Sequence, residues 1–244
     1  STPIKSSAAS DVYKRQIEHI IIDGASKDNT LAMAQAYSLK NQEEENEHEV
    51  VIISEPDRGL YDAMNKGLAR ATGDYIVYLN AGDVFPSDQT LEQISIEVNN
   101  RSDGKLPAVL YGDTNIVDDE GRLLHPRRLV PPENLTWRSF RHGMLVCHQA
   151  FYARTDLAQA EPYDLRYRFS ADYEWCLRCL KKAKRCAYTG TTLIDYLADG
   201  LTDKNHKASL RERYDIMCQY YGTLPTIVRH IGFFARNLKR KLLK

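Results

Sequence analysis

The 244-residue sequence predicts an α/β fold with a sheet that is parallel in its first half, and three observations carry the prediction. Short apolar runs at residues 20–22, 50–53 and 75–79 read as buried strands. Helical spacing follows the first two. Capping-type residues between Ser26 and Thr30 precede a helix over 31–39, and Leu60, Met64, Leu68 and Ala71 recur at intervals of three and four. Each run also closes on a turn holding an aspartate: Asp23, Asp57 and Asp83. Strand–loop–helix repeats imply a parallel sheet, whose ligands bind beyond the carboxyl ends of the strands, where these carboxylates fall.

Between the first helix and the second strand, residues 41–49 read as a solvated acidic loop, and Gly73 with Asp74 ends the second helix. A fourth strand over 109–111 stops at Gly112 and Asp113. Residues 114–124 are expected to form a hairpin around DDEG at 118–121. The long connection 125–147, with Pro126, Pro131 and Pro132, is of a kind that covers sites. A strand over 151–153 and helices over 172–182 and 204–220 complete the expectation. No internal repeat is present. The chain divides into a polar, small-residue-rich leader at 1–16, read as non-native or disordered, one domain over 17–222, and a basic amphipathic helix over 223–244.

Net charge is zero, so bulk charge points to no nucleic-acid partner. The cations gather at the end instead. No acidic residue follows Asp215, while Arg229, Arg236, Lys239, Arg240, Lys241 and Lys244 do. Leu224, Ile227, Ile231, Phe234, Leu238 and Leu242 form an apolar stripe beside them, the pattern of a helix lying in an anionic membrane interface. The alternative is a helix docked on the core with a solvated basic tail. No run approaches the ~20 apolar residues of a spanning helix, and the N-terminus has no apolar signal-peptide segment. The five cysteines are odd in number and scattered, which suits reduced thiols. Cys176 and Cys179 form a CxxC inside a helical pattern with no second pair, so no zinc site is expected there.

Three longer motifs occupy the strand ends: EHIIIDGASKDNT at 18–30, SEPDRGLYDAMNKG at 54–67, and ATGDY at 71–75 leading to LNAGD at 79–83. In this order they resemble the family-2 glycosyltransferases of the GT-A fold, a mixed, mostly parallel sheet flanked by helices. The resemblance is strongest to the colanic-acid-type and other bacterial exopolysaccharide enzymes and covers roughly residues 17–200. It implies an inverting enzyme that moves a sugar from a nucleotide-diphosphate sugar to a lipid-linked saccharide acceptor. It further implies a cytoplasmic protein, peripheral on the inner face of the membrane. The QxxRW signature of processive synthases is absent, which favours addition of one sugar. Such transfer needs the diphosphate leaving group neutralised by a metal and the acceptor hydroxyl deprotonated by a separate carboxylate.

Roles carry over residue by residue. Asp23 is similar to the aspartate that bonds the nucleotide base, and Asp57 and Asn65 fall where the family lines the donor pocket. Asp83 matches the metal-binding aspartate, in an NAGD with one carboxylate where many relatives have two or three. With diphosphate oxygens and waters, one carboxylate suffices for Mg²⁺ or Mn²⁺. The run SADYEW at 170–175 resembles the family's ED-type motif and makes Asp172 the general base, with Ala171 in place of the usual glutamate and Glu174 as the fallback. Asp113 and His148 are second-rank residues of the acceptor side. Read without the resemblance, Asp23 is a turn aspartate, Asn65 a helix residue bonding local backbone, Asp83 and Asp172 helix caps, and His148 a structural histidine.

Family members begin with an apolar strand that lies in the middle of the sheet. No such strand can be drawn through residues 1–16, so it is expected to be missing and one edge of the 20–22 strand to be unpaired. Rival readings are weaker. A dinucleotide-binding oxidoreductase needs GxGxxG where this chain has DGAS at 23–26. A nucleotidyltransferase would carry a glycine-rich basic loop near its start. A sugar-nucleotide-binding protein without catalysis stays open because the metal motif is reduced.

Overall fold

The computed structural model describes residues 17–43, 48–101, 106–198 and 206–242; the expected leader at 1–16 lies outside them. The first sheet is a parallel pair, β1 (Glu18–Asp23) and β2 (Glu49–Ser54), in register from Glu18 opposite Glu49 to Asp23 opposite Ser54. Among the described residues β1 pairs with β2 alone. Helix α1 (Thr30–Glu43) runs further than expected, into what reads in the sequence as an acidic loop. The cause is Asn41, which is buried and donates its Nδ2 to the His48 carbonyl at 2.9 Å, closing the helix onto β2. Helix α2 (Leu60–Arg70) buries Tyr61, Met64 and Leu68, whereas Leu60 faces solvent.

The second sheet has the order β3-β6-β4-β5, with β7 on β4. Its strands are β3 (Tyr75–Ile76), β4 (Val109–Val117), β5 (Leu123–Pro126), β6 (Phe151–Arg154) and β7 (Cys186–Leu197). The expected third parallel strand over 75–79 is corrected here. Only two residues join a ladder, and they pair antiparallel with β6 in the second sheet. The hairpin is present: β4 and β5 pair antiparallel, and Asp118 accepts the Arg122 amide at the turn. β7, which runs parallel to β4 over most of its length, has no counterpart in the sequence reading. Gly112 makes their approach possible, because a Cβ there would fall 2.5 Å from Leu193 Cγ and 2.6 Å from the Thr191 carbonyl.

The remaining helices are α3 (Thr90–Arg101), α4 (Thr155–Ala160), α5 (Ala171–Lys182), α6 (His206–Tyr221) and α7 (Thr223–Leu242), with 3-10 turns at Trp137–His142 and His148–Ala150. Helix α5 is the centre of the core, and Tyr173, Trp175, Cys176 and Leu177 on it are fully buried. Trp175 stacks on Tyr163 at 5.0 Å and meets Tyr78 and Phe151 edge-on at 5.5 Å. Tyr61 of α2 reaches the same cluster through Tyr163. Large aromatic surfaces in contact resist rearrangement, so this cluster is a rigid floor joining α2, α5 and β6.

Candidate active site

The loops after β1 and β2 come first. Asp23 is buried, and its carboxylate accepts the Ser26 amide at 3.2 Å and the Ser54 hydroxyl at 2.6 Å. Hydrogen bonds from Ser26 and then Ser54 hold its carboxyl below the usual range. Asp23 therefore fastens the ends of β1 and β2 together and shapes the loop 24–28. Asp57 accepts the Gly59 amide at 2.7 Å with one oxygen and lies against Gly24 with the other. Asn65, one turn into α2, has both ends of its carboxamide occupied. Its Nδ2 donates to the Tyr163 carbonyl at 2.9 Å, and its Oδ1 accepts the Tyr163 amide at 2.8 Å. It works as a bracket holding the chain before α5.

Asp83 sits in the turn after β3. Gly82 takes a φ of 94°, which a residue with a Cβ rarely adopts. One Asp83 oxygen accepts Gln149 Nε2 at 2.7 Å, the other the Leu197 amide at 3.1 Å. Gln149 is fully buried and in turn accepts the Cys147 thiol at 2.7 Å. Burial pushes that thiol up to about 11, so it stays protonated and donates.

Asp172 stands in the first turn of α5 with 15% of its side chain exposed. It accepts the Tyr61 hydroxyl at 3.2 Å, and His148 Nδ1 lies 3.5 Å from its other oxygen. Burial alone would raise its pKa, yet the His148 contact and the charge of Arg213 outweigh it and leave the carboxyl below the usual range. Tyr61 is driven the other way: burial first, then the Asp172 charge, keep its hydroxyl protonated. Asp172 thus opposes a histidine and a phenol, and the Tyr173 amide of its own helix adds a smaller lowering cause.

Its position is set from below. Glu212 of α6 accepts the amides of Arg168, Phe169 and Ser170 at 2.9, 2.8 and 2.9 Å. These amides belong to the segment that leads into α5, so Glu212 fastens the entry to the helix, where a carboxylate is favoured by the helix dipole as well. Arg213, the next residue, lies over the Tyr173 ring at 5.4 Å.

Glu174, the fallback base, does not face this space. It is buried, bonded through both oxygens to Arg178 Nε at 2.9 and 2.8 Å, and accepts the Tyr220 hydroxyl at 2.6 Å. Arg178 also reaches Glu161 at 3.0 Å. A carboxylate engaged in that network is less open to a substrate than Asp172, which is the better placed of the two. Asp113 accepts the Tyr188 hydroxyl at 2.6 Å across the β4–β7 pair. No contact joins it to Asp83 or Asp172.

The arrangement has one organising feature. His148 and Gln149, consecutive in a single 3-10 turn, hold Asp172 and Asp83 respectively. The sequence assigns His148 a role, with Gln149 noticed only as its neighbour in a His-Gln pair, and assigns none to Tyr61 or Glu212. Gln149, Tyr61 and Glu212 each act across a long sequence separation.

The profile described as Glycosyl transferase family 2 matches residues 4–158. A PGL/p-HBAD biosynthesis glycosyltransferase of Mycobacterium bovis is 31% identical over 172 residues, covering 66% of this chain and 57% of that protein. The amylovoran biosynthesis glycosyltransferase AmsB of Erwinia amylovora is 27% identical over 150 residues, covering 60% of this chain and 49% of its own. The chain therefore spans about half the length of these curated relatives. Among solved structures, S. aureus TarS in complex with UDP-GlcNAc superposes with a TM-score of 0.63 at 14% identity, over 91% of this chain and 67% of that one. That likeness is one of fold, and it bears out the GT-A architecture expected from the sequence.

Proposed function

Because the chain belongs to glycosyl transferase family 2, we propose that it moves one sugar from a nucleoside-diphosphate donor to an acceptor hydroxyl with inversion, Asp172 taking the hydroxyl proton. The observation that carries this reading is the His148–Gln149 turn, which holds two carboxylates in one frame yet on different partners. A base must be separate from the carboxylate that would hold the cation, because a coordinated carboxylate is too weakly basic to take the hydroxyl proton. The acceptor oxygen attacks the anomeric carbon as the bond to the diphosphate breaks on the opposite face, and the proton passes to Asp172. His148 and Tyr61 fix the carboxylate so that little reorganisation accompanies the step.

A divalent cation, Mg²⁺ or Mn²⁺, fits Asp83. Two neutral donors, Gln149 and the Leu197 amide, orient its carboxylate and leave each oxygen further acceptor capacity. Among the described residues no group of three or more His, Cys, Asp or Glu could form an all-protein cage. That suits an ion that keeps phosphate and water ligands, and when bound it neutralises charge on the departing diphosphate. Asp57 and the loop shaped by Asp23 form the wall for the nucleotide, with Asn65 bracing it from behind.

The UDP-GlcNAc in the TarS complex supports a UDP-sugar as donor, and the names of the curated relatives support a role in glycoconjugate or polysaccharide biosynthesis. A lipid-linked saccharide acceptor at the cytoplasmic face of the membrane accords with α7. Its Leu224, Ile227, Ile231 and Phe234 are exposed, while the side chains of Leu238 and Leu242 lie outside the described residues. No described helix is long and apolar enough to cross a membrane, so α7 would lie on the surface. Asp113 with Tyr188 faces the acceptor side. The test is the anomeric configuration of the product by NMR, with nucleoside diphosphate release followed in parallel. Inversion with acceptor-dependent release is expected. A retained configuration would remove Asp172 from its role, and the absence of acceptor-dependent release would leave a binding protein.

A further inference from the structure

A recess of about 310 Å³ opens between the turn Trp137–His142, α6 and the start of α7, lined by Trp137, Arg138, Arg141, Tyr221, Pro225 and Arg229. A neighbouring hollow shares Arg138 and Arg141. Among the described residues no Asp or Glu lines either one. Aromatic faces hold the cations. Trp137 stacks on Tyr221 with rings 5.6 Å apart and 6° from parallel, and the Arg138 guanidinium lies 4.8 Å over Trp137. Lys181 adds its ammonium 5.4 Å from the same ring. The Tyr221 hydroxyl donates to the Trp137 carbonyl at 2.6 Å and ties the turn to α6. A guanidinium held against a ring face keeps its N–H donors, which leaves them available to an anion.

Helix α7 docks through Thr226, which is fully buried, and His230, whose ring packs on Tyr214 of α6 at 5.1 Å. At 100° per residue two flanks remain. One presents Pro225 and Arg229, a turn apart, to the recess. The other carries Leu224, Ile227, Val228, Ile231 and Phe234, exposed by 77, 39, 68, 64 and 70%. A contiguous apolar flank of this size beside a cationic recess is not an ordinary feature of a solvated surface.

We infer that the recess seats the phosphate of an anionic membrane lipid when the apolar flank of α7 enters the bilayer. Three features select a lipid over a soluble phosphate. The cations meet no carboxylate within the recess, the Trp137–Tyr221 stack is of the amphipathic kind that settles at headgroup level, and the apolar flank belongs to the helix that supplies Arg229. The inference rests on reading α7 as a membrane-surface helix, and it adds a headgroup site built largely outside that helix.

The test uses the full chain with vesicles of phosphatidylcholine, with and without phosphatidylglycerol, and needs neither donor nor acceptor. The chain should partition onto the anionic vesicles only. The variant R138Q/R141Q/R229Q should lose roughly a hundredfold, about fivefold per cation. The pair R141Q/R229Q, which leaves the Arg138–Trp137 contact intact, should lose about 25-fold by the same rule, with an unchanged melting curve. V228S/I231S/F234S should abolish partition. If only that last variant loses binding, the helix anchors the chain and the headgroup seat is refuted. If the wild type binds no vesicle, both readings fall. If inorganic pyrophosphate releases the bound chain at constant ionic strength, the recess takes a soluble anion and the inference is overturned.

Discussion

The two faces of helix α5 carry carboxylates two residues apart, one half-buried and one buried, with opposite fates. Asp172 meets a phenol and an imidazole, which leave part of it open. Glu174 meets Arg178 along both oxygens and Tyr220 besides. On a helix, positions i and i+2 point to opposite sides, so one turn serves both the reacting face and the inner network. The sequence SADYEW offers both acids, Asp172 as the base and Glu174 as the fallback. Their partners, drawn from α2, the His148–Ala150 turn, α5 itself and α6, separate an acid that can exchange a proton from one that is structural.

The largest effect expected of this contrast is on stability. Glu174→Gln takes from Arg178 the carboxylate it holds through both oxygens, leaving it Glu161 alone, and takes from the Tyr220 hydroxyl its anion; breaking such a buried pair costs about 3–5 kcal/mol. At about 2–4 °C per kcal/mol for a chain of this size, thermal unfolding should occur roughly 6–20 °C lower. An unshifted melting curve would show that the inner face is not a structural network. Next comes Gln149→Leu, which removes the donor that orients Asp83. Metal affinity in the presence of donor should fall about 10–100-fold, as for other groups that orient a ligand, while Asp83→Ala should erase the metal dependence of donor binding. Isothermal titration with Mn²⁺ checks both, and equal donor affinity with EDTA and with Mn²⁺ in the wild type would sink the metal reading.

A smaller effect concerns pH. The folded pKa of Asp172 is depressed, so its base form persists as pH falls and is lost only below the usual carboxylate range. Its contribution to stability has the same sign: present above the ordinary value and lost as pH drops through the folded one. His148→Phe removes the main lowering cause and leaves burial, so the acidic limb of kcat/KM should move to higher pH. A limb that stays in place would mean that His148 does not tune the base.

Legibility followed locality. The pair β1–β2, its following helices and the aspartates at its ends are written in runs of neighbours, and the structure keeps them with small changes at the boundaries. β7 left no such trace. Its residues Thr189, Gly190 and Thr191 interrupt any apolar run, and its strand state comes from pairing with β4, some eighty residues earlier in the chain. The third strand failed for the related reason that an apolar run at 75–79 says nothing of how many residues find a partner. Site residues divided in a related way. Asp83, Asp172 and Tyr61 lie in motifs, though nothing in its motif says that Tyr61 meets Asp172, whereas Glu212 is ordinary until the fold brings it to the start of α5. Asn65 sits in the clearest motif and yet bonds Tyr163, ninety-eight residues away.

The central claim, that one face of α5 carries the chemistry and the other the fold, is tested most directly by measuring turnover of Asp172→Asn and Glu174→Gln side by side, at a temperature where both are folded. Asp172→Asn should lose roughly 10²-fold or more in kcat with donor affinity nearly unchanged, because only proton transfer is removed. Glu174→Gln should keep turnover within a few-fold of wild type, the expected range for a residue that touches no reacting atom. Wild-type turnover in Asp172→Asn, or a loss in Glu174→Gln equal to that of Asp172→Asn, would contradict the account.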